Sequence, residues 1–68
     1  MNWRQFIRVM KIDERAAQAK YRIAANAAKS QAIREIFEKL AYEEEVHIDV
    51  LDRFARDLRT LLADEKKK

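Results

Sequence analysis

Apolar residues recur along the second half of the chain in alternating steps of four and three, the spacing that places side chains on one face of an α-helix. The same rhythm lands on Glu44 and His47 in the middle of that stripe. A carboxylate and an imidazole therefore occupy positions that the pattern predicts to be apolar. The apolar members of the stripe are Ile33, Phe37, Leu40, Leu51, Phe54, Leu58 and Leu61.

An equivalent stripe runs through the first half of the chain, where one charged residue, Glu14, interrupts it. Asn2, followed three residues later by Gln5, is typical of a helix start, because a side chain at the cap can bind a free backbone N–H. The sequence therefore predicts a first helix that begins near residue 3. Its stripe consists of Trp3, Ile7, Met10, Glu14, Ala17, Tyr21, Ala24 and Ala28.

The break between the two helices is predicted between Asn26 and Ser30. Asn26 can adopt the left-handed conformation that ends many helices, and Ser30 can cap the next one. A single helix of about sixty residues in a long coiled coil is the alternative, which the stripes alone leave open. The predicted organisation is one domain, residues 1–68, with a first helix at about 3–28, a second at about 31–63 and a basic tail at 64–68.

A second apolar row accompanies the main stripe of the second helix, and an apolar face that wide needs more than one neighbouring helix. The row consists of Ile36, Ala41, Ile48, Ala55 and Leu62. Glycine and proline are absent, which favours a chain that is nearly all helix. The predicted fold class is all-α: an antiparallel two-helix hairpin, half of a four-helix bundle, completed by dimerisation.

The length and the net charge of the chain limit which partners and functions are expected. A single hairpin of 68 residues buries too little apolar surface to be stable alone, and there is no cysteine to form a disulfide. A metal, a partner or further copies must supply the remaining stability. The net charge of +3 equals the charge of the three C-terminal lysines, so we expect no nucleic-acid partner. We also expect no membrane partner and a cytoplasmic location, since no apolar run or leader is seen.

The polar residues in the two stripes are predicted to lie at similar distances from the turn of the hairpin. If the hairpin folds about Lys29, Glu14 and Glu44 lie fifteen residues to either side. Both are then about 22 Å from the turn, at a rise of ~1.5 Å per residue, with His47 one turn further along. Glu-x-x-His also places its two side chains on one helix face, one turn apart. The spacing therefore indicates a metal site.

Each of these residues also has a purely structural interpretation. Glu14 could form a surface ion pair with Lys11 or Arg15, and His47 could be a hydrogen-bonded core histidine. Glu44 could belong to a solvated acidic run, as we expect for its two neighbours, Glu43 and Glu45. The matching heights and the chelating spacing together favour the metal site.

Two carboxylates and one histidine do not complete a site, but a two-fold dimer supplies four carboxylates and two histidines. The four carboxylates carry a charge of −4, which two divalent ions would cancel. Oxygen-rich ligands with one imidazole per metal suit iron or manganese better than copper.

The same residues resemble a known family. Glu14 with Tyr21 seven residues later, followed by Ile36-Phe37, Ala41 and Glu44-x-x-His47, is similar to the ferritin-like di-iron carboxylate proteins, above all the rubrerythrin and erythrin branch. Members supply a Glu from each of two helices and a Glu-x-x-His from each of two others. This chain has one of each over residues 10–58, so it resembles half of a ferritin-like domain, as in the encapsulated ferritins.

The resemblance implies a ferroxidase that oxidises Fe(II) to Fe(III) with dioxygen, in iron storage or detoxification. Glu14, Glu44 and His47 would be the catalytic metal ligands of a di-iron centre shared between two chains. Glu44 would bridge the two ions, and Tyr21 would lie beside the ligands. Manganese or another divalent ion is the alternative metal. A peroxide-reducing di-iron protein, a non-enzymatic metal-binding helical oligomer and a designed assembly are the alternative functions.

The resemblance is incomplete, because the chain has no rubredoxin-type cysteine set and no glycine-rich tail of the kind that docks encapsulated ferritins. We nevertheless expect a homo-oligomer, a dimer at least and a ring of dimers, with an encapsulin-type shell as a further partner and a protein nanocompartment as a further location. The ring is expected because Leu58, Leu61 and Leu62 should project beyond the first helix and pack on neighbouring subunits.

Overall fold

The computed structural model describes the backbone of residues 1–66 and the side chains of residues 1–65. It contains two helices, α1 (Trp3–Ala27) and α2 (Gln31–Lys66), which pack against each other as a hairpin. The hairpin measures 53 × 17 × 16 Å. The predicted all-α fold class and hairpin are therefore confirmed, and a single continuous helix is excluded. Neither helix combines the length and apolar character needed to cross a membrane.

The start of α1 follows the expectation, whereas its end differs. The side-chain oxygen of Asn2 accepts a hydrogen bond from the backbone N–H of Gln5 at 3.1 Å. Asn26 is not the left-handed end residue that we predicted: it lies within α1, and no described residue has a positive φ. Ala28 instead leaves the helix in an extended conformation, with φ −70° and ψ 129°. The Ala28 carbonyl is still hydrogen-bonded in this conformation, because Arg34 of α2 donates to it at 2.9 Å.

The second helix begins as predicted and extends further than predicted. Ser30 Oγ accepts a hydrogen bond from the backbone N–H of Ile33 at 3.4 Å, so Ser30 caps α2. The helix continues past Ala63 to Lys66, because the sequence there contains no helix-breaking residue. Residues 64–66 of the predicted tail are thus helical, and 67–68 lie outside the described residues.

The core of the hairpin is a thin seam between the two helices. All eight residues of the predicted α1 stripe are buried or half-buried. On α2 both rows contribute buried residues: Ala41 and Ile48 of the second row are 6% and 2% exposed, and Leu51 and Leu58 of the main stripe are 8% and 4% exposed. Ile33, Ile36 and Leu61 remain about half exposed, at 48%, 57% and 46%. One hairpin therefore covers only part of the apolar surface of α2.

Leu58, Leu61 and Leu62 were expected to project beyond α1, and this expectation is wrong for two of the three leucines. Leu58 is only 4% exposed, and Leu62 is half-buried within its own chain. Helical side chains point toward the helix N-terminus, so Leu58 and Leu62 lie back over the first turn of α1. Trp3 lies near this region, since the centroid of its ring is 5.9 Å from that of Phe54. Only Leu61 projects into solvent as expected.

Candidate metal centre

The hairpin brings Glu14 of α1 together with Glu44 and His47 of α2. One potential ligand atom from each of the three residues lies within 4.8 Å of the others. His47 Nδ1 lies 3.3 Å from Glu14 Oε2 and 3.7 Å from Glu44 Oε2. The two carboxylates are level because each stands the same number of residues from the turn. The predicted meeting of these three residues is confirmed, and their role as metal ligands stays a prediction.

The three side chains differ in how far they are exposed to solvent. The side chain of Glu44 is 14% exposed, that of Glu14 is 25% exposed and that of His47 is 56% exposed. His47 is therefore not a buried core histidine, which removes its main structural interpretation. The two carboxylates are the more buried part of the cluster, and the imidazole is its exposed part.

The surface ion pair suggested for Glu14 is not the one that forms. Lys11 forms its ion pair across the hairpin with Asp52. Within residues 1–65, Glu14 contacts His47 and forms no ion pair with a lysine or an arginine. In this part of the chain, no basic side chain therefore competes with a metal ion for the Glu14 carboxylate.

The donor set fits a hard divalent metal ion. Each chain offers carboxylate oxygens from two residues and one imidazole nitrogen, the combination that iron and manganese accept. These three side chains do not fill six-coordinate positions on a single ion. Because the His47 side chain is 56% exposed, further donors could approach the cluster from solvent.

Tyr21 lies two helical turns from Glu14, on the same face of α1. Its ring packs against Phe37, with 6.3 Å between the ring centroids. Among the hydrogen bonds of residues 1–65, none joins Tyr21 to the three candidate ligands. A role for Tyr21 beside the ligands therefore requires a different chain, and it stays a prediction.

Sequence reasoning missed Gln18, which is the only polar residue among the buried side chains of residues 1–65, at 7% exposure. Its Nε2 donates hydrogen bonds to the Ala41 carbonyl at 3.1 Å and to Glu45 Oε2 at 2.9 Å. Glu45, expected to be solvated, thus has a partner on α1. The available signal was that Gln18 follows Glu14 by four residues and shares its face.

Comparisons with known proteins identify a family for this chain but no individual relative. No curated protein matches the chain, and no solved structure does. The model of the Rubrerythrin family matches residues 9–68, which include both helices' contributions to the cluster of Glu14, Glu44 and His47. The chain therefore belongs to the rubrerythrin family, whose members typically bind iron.

Proposed function

We propose that two copies of this chain bind a pair of iron ions between them and oxidise Fe(II) with dioxygen. The observation that carries the proposal is the convergence of Glu14, Glu44 and His47 within 4.8 Å of one another, in a member of an iron-binding family. Half of a ligand set on an open surface is what a chain would present if a second copy completed the site.

The exposed surface of α2 beside the cluster is consistent with a second copy of the chain as the partner. His47 lies at the centre of a row on α2 in which residues recur every seven positions, the spacing of a helix–helix seam. The row consists of Ile33, Leu40, His47, Phe54 and Leu61. Its outer members, Ile33 and Leu61, are 48% and 46% exposed. Burying this row in a dimer would cover apolar surface and bring two copies of the cluster together.

The ligand residues would have distinct tasks. Glu44 is the least exposed of the three, and its two oxygens could contact both ions of a pair ~3.5–4 Å apart. Glu14 and His47 would supply the further ligands from each chain. Four carboxylates per dimer supply a charge of −4, which offsets two divalent ions and favours the more highly charged Fe(III) product.

The iron ions supply the redox chemistry once they are bound. Fe(II) is the substrate: two ions give up one electron each, and dioxygen takes up the two electrons with two protons to form hydrogen peroxide. The chain's residues would hold the ions close together and balance their charge.

The test compares two neighbouring carboxylates. Glu44→Ala removes a ligand from both halves of the dimer, whereas Glu43→Ala removes an exposed carboxylate that is outside the cluster. Fe(II) is added without oxygen, air is admitted, and the absorbance of Fe(III) is followed. We expect Glu44→Ala to fall to the protein-free rate and Glu43→Ala to keep the wild-type rate.

Two outcomes would count against the proposal. If Glu44→Ala retained most of the wild-type rate, the cluster would not be the oxidation site. If Fe(II) in the wild-type protein reacted with hydrogen peroxide but no faster than background with dioxygen, the peroxide-reducing alternative would replace it.

A further inference from the structure

Gln18 links the two helices at the level of the metal cluster. It lies one turn from Glu14 on α1, and its amide nitrogen bonds Ala41 and Glu45 on α2. These two residues flank Glu44 in the sequence, three positions before it and one after it. One buried amide thus connects the helix turn that carries Glu14 to the helix turn that carries Glu44.

The buried residues beside Gln18 are Ala25 and Ala41, whose single methyl groups do little to fix how far along its axis α1 sits against α2. Larger contacts between the helices, such as those of Trp3 with Phe54 and Tyr21 with Phe37, lie on either side of this level. A slip of one residue would move one helix by about 1.5 Å along the other. Hydrogen bonds of 2.9 and 3.1 Å would not survive that slip, and the bond to a carboxylate is of the stronger, charge-assisted type.

We propose that Gln18 is a positioning residue for the metal centre: it fixes the axial register of α1 against α2, so that Glu14 meets Glu44 and His47. The effect on metal binding rests on the proposed function, whereas the effect on register does not. Gln18 acts through the backbone and Glu45, and it is not itself a ligand.

Replacing a residue that positions the helices has a different effect from replacing one that stabilises the fold. The Ala41 carbonyl has its partner within α2, and Glu45 is exposed to water, so neither acceptor is left without a hydrogen bond when Gln18 is replaced. Replacing a buried amide with an apolar side chain of similar size is then neutral or stabilising. Gln18→Leu should therefore keep or raise the melting temperature and still disturb the cluster.

The first measurement is metal affinity, with Co(II) as a redox-inert probe followed by its visible absorbance. We expect Gln18→Leu to bind Co(II) about tenfold more weakly than wild type, the lower end of the effect of removing residues that orient metal ligands. The matched pair is Glu45→Gln and Glu45→Ala, which remove the same charge. Glu45→Gln keeps an acceptor for Gln18 and should bind more tightly than Glu45→Ala.

The second measurement uses the metal-free chain. The ring pair of Tyr21 and Phe37 spans the two helices near Gln18, with 6.3 Å between centroids, and reports register through nuclear Overhauser contacts. We expect Gln18→Leu to lose the single wild-type set of these contacts and Glu45→Gln to retain it.

The outcomes separate this inference from the proposed function. Unchanged ring contacts together with unchanged Co(II) affinity in Gln18→Leu would overturn the role of Gln18. If Gln18→Leu did not fold, equal Co(II) affinities of Glu45→Gln and Glu45→Ala would overturn it. If the wild type bound no metal while Gln18→Leu still lost the ring contacts, the proposed function would fail and the register role would stand.

Discussion

At the residue scale, His47 is largely exposed to solvent and nevertheless lies close to two carboxylates. Its side chain is 56% exposed, yet its ring nitrogen lies 3.3 Å from Glu14. A histidine in that position contributes little to packing, because most of its surface remains in water. Its proximity to two carboxylates matters when a cation is present, since an imidazole can then complete an oxygen-rich ligand set.

We therefore expect His47→Ala to affect metal binding and not folding. Without metal, the free energy of unfolding should change by no more than about 0.5 kcal/mol, because the site is largely exposed. Affinity for Co(II) should fall by at least about tenfold, since one of the three donors per chain is gone. Titration and urea denaturation measure the two quantities. Asp49→Ala, which removes an exposed polar side chain two residues away, is the control and should match wild type in both.

At the scale of single elements, each helix begins at a side-chain cap. Asn2 accepts the N–H of Gln5, and Ser30 accepts that of Ile33. The connection between them is secured from α2, because Arg34 donates to the Ala28 carbonyl at the end of α1. Local hydrogen bonds therefore define both starts and the turn, in a chain without glycine or proline.

The cap at Asn2 should be measurable in stability. Asn2→Ala removes the acceptor for the Gln5 N–H, and we expect a loss of about 1 kcal/mol, the usual effect of removing such a cap. Asn26→Ala is the control: Asn26 is exposed within the last turn of α1, and alanine is the better helix former there. Urea denaturation of the metal-free variants at one protein concentration measures both. An equal effect of the two substitutions would contradict the cap.

At the scale of the whole molecule, the hairpin has an unpartnered side. The row of five residues through His47 includes one member of the cluster of candidate ligands, and its outer members, Ile33 and Leu61, are about half exposed. A metal pair held between two such rows would favour the associated state, because a ligand that binds only the dimer shifts the equilibrium toward it. The ring of dimers stays a prediction, and Leu58 no longer supports it because its own chain buries it.

We predict that metal and the exposed row act together in assembly. Adding Co(II) should shift the wild-type chain toward dimers or larger species in native mass measurements. Ile33→Gln with Leu61→Gln should reduce that shift, since burial of each side chain stabilises association by on the order of 1 kcal/mol. Ile12→Gln with Ile23→Gln is the matched control, because these residues are 60% and 68% exposed on another side of α1. Identical mass distributions with and without metal would argue against a site shared between chains.

The sequence by itself determined the height of every residue along the hairpin. Helical rise is constant, and the turn lies near Lys29, so counting residues sufficed to bring Glu14 level with Glu44 and close to His47. The helix starts also followed from local chemistry, because a cap involves residues only three positions apart.

Only the tertiary structure decided how each helix is rotated about its own axis. The sequence of α2 offers two apolar rows, and periodicity alone does not tell which residues of each row face α1. Packing placed Ile48 inward and left the His47 side chain 56% exposed. The same rotation buried Gln18 among alanines, where its amide found partners on α2. Rotation depends on contacts between residues distant in sequence, so it is decided when both helices pack and not by either pattern alone.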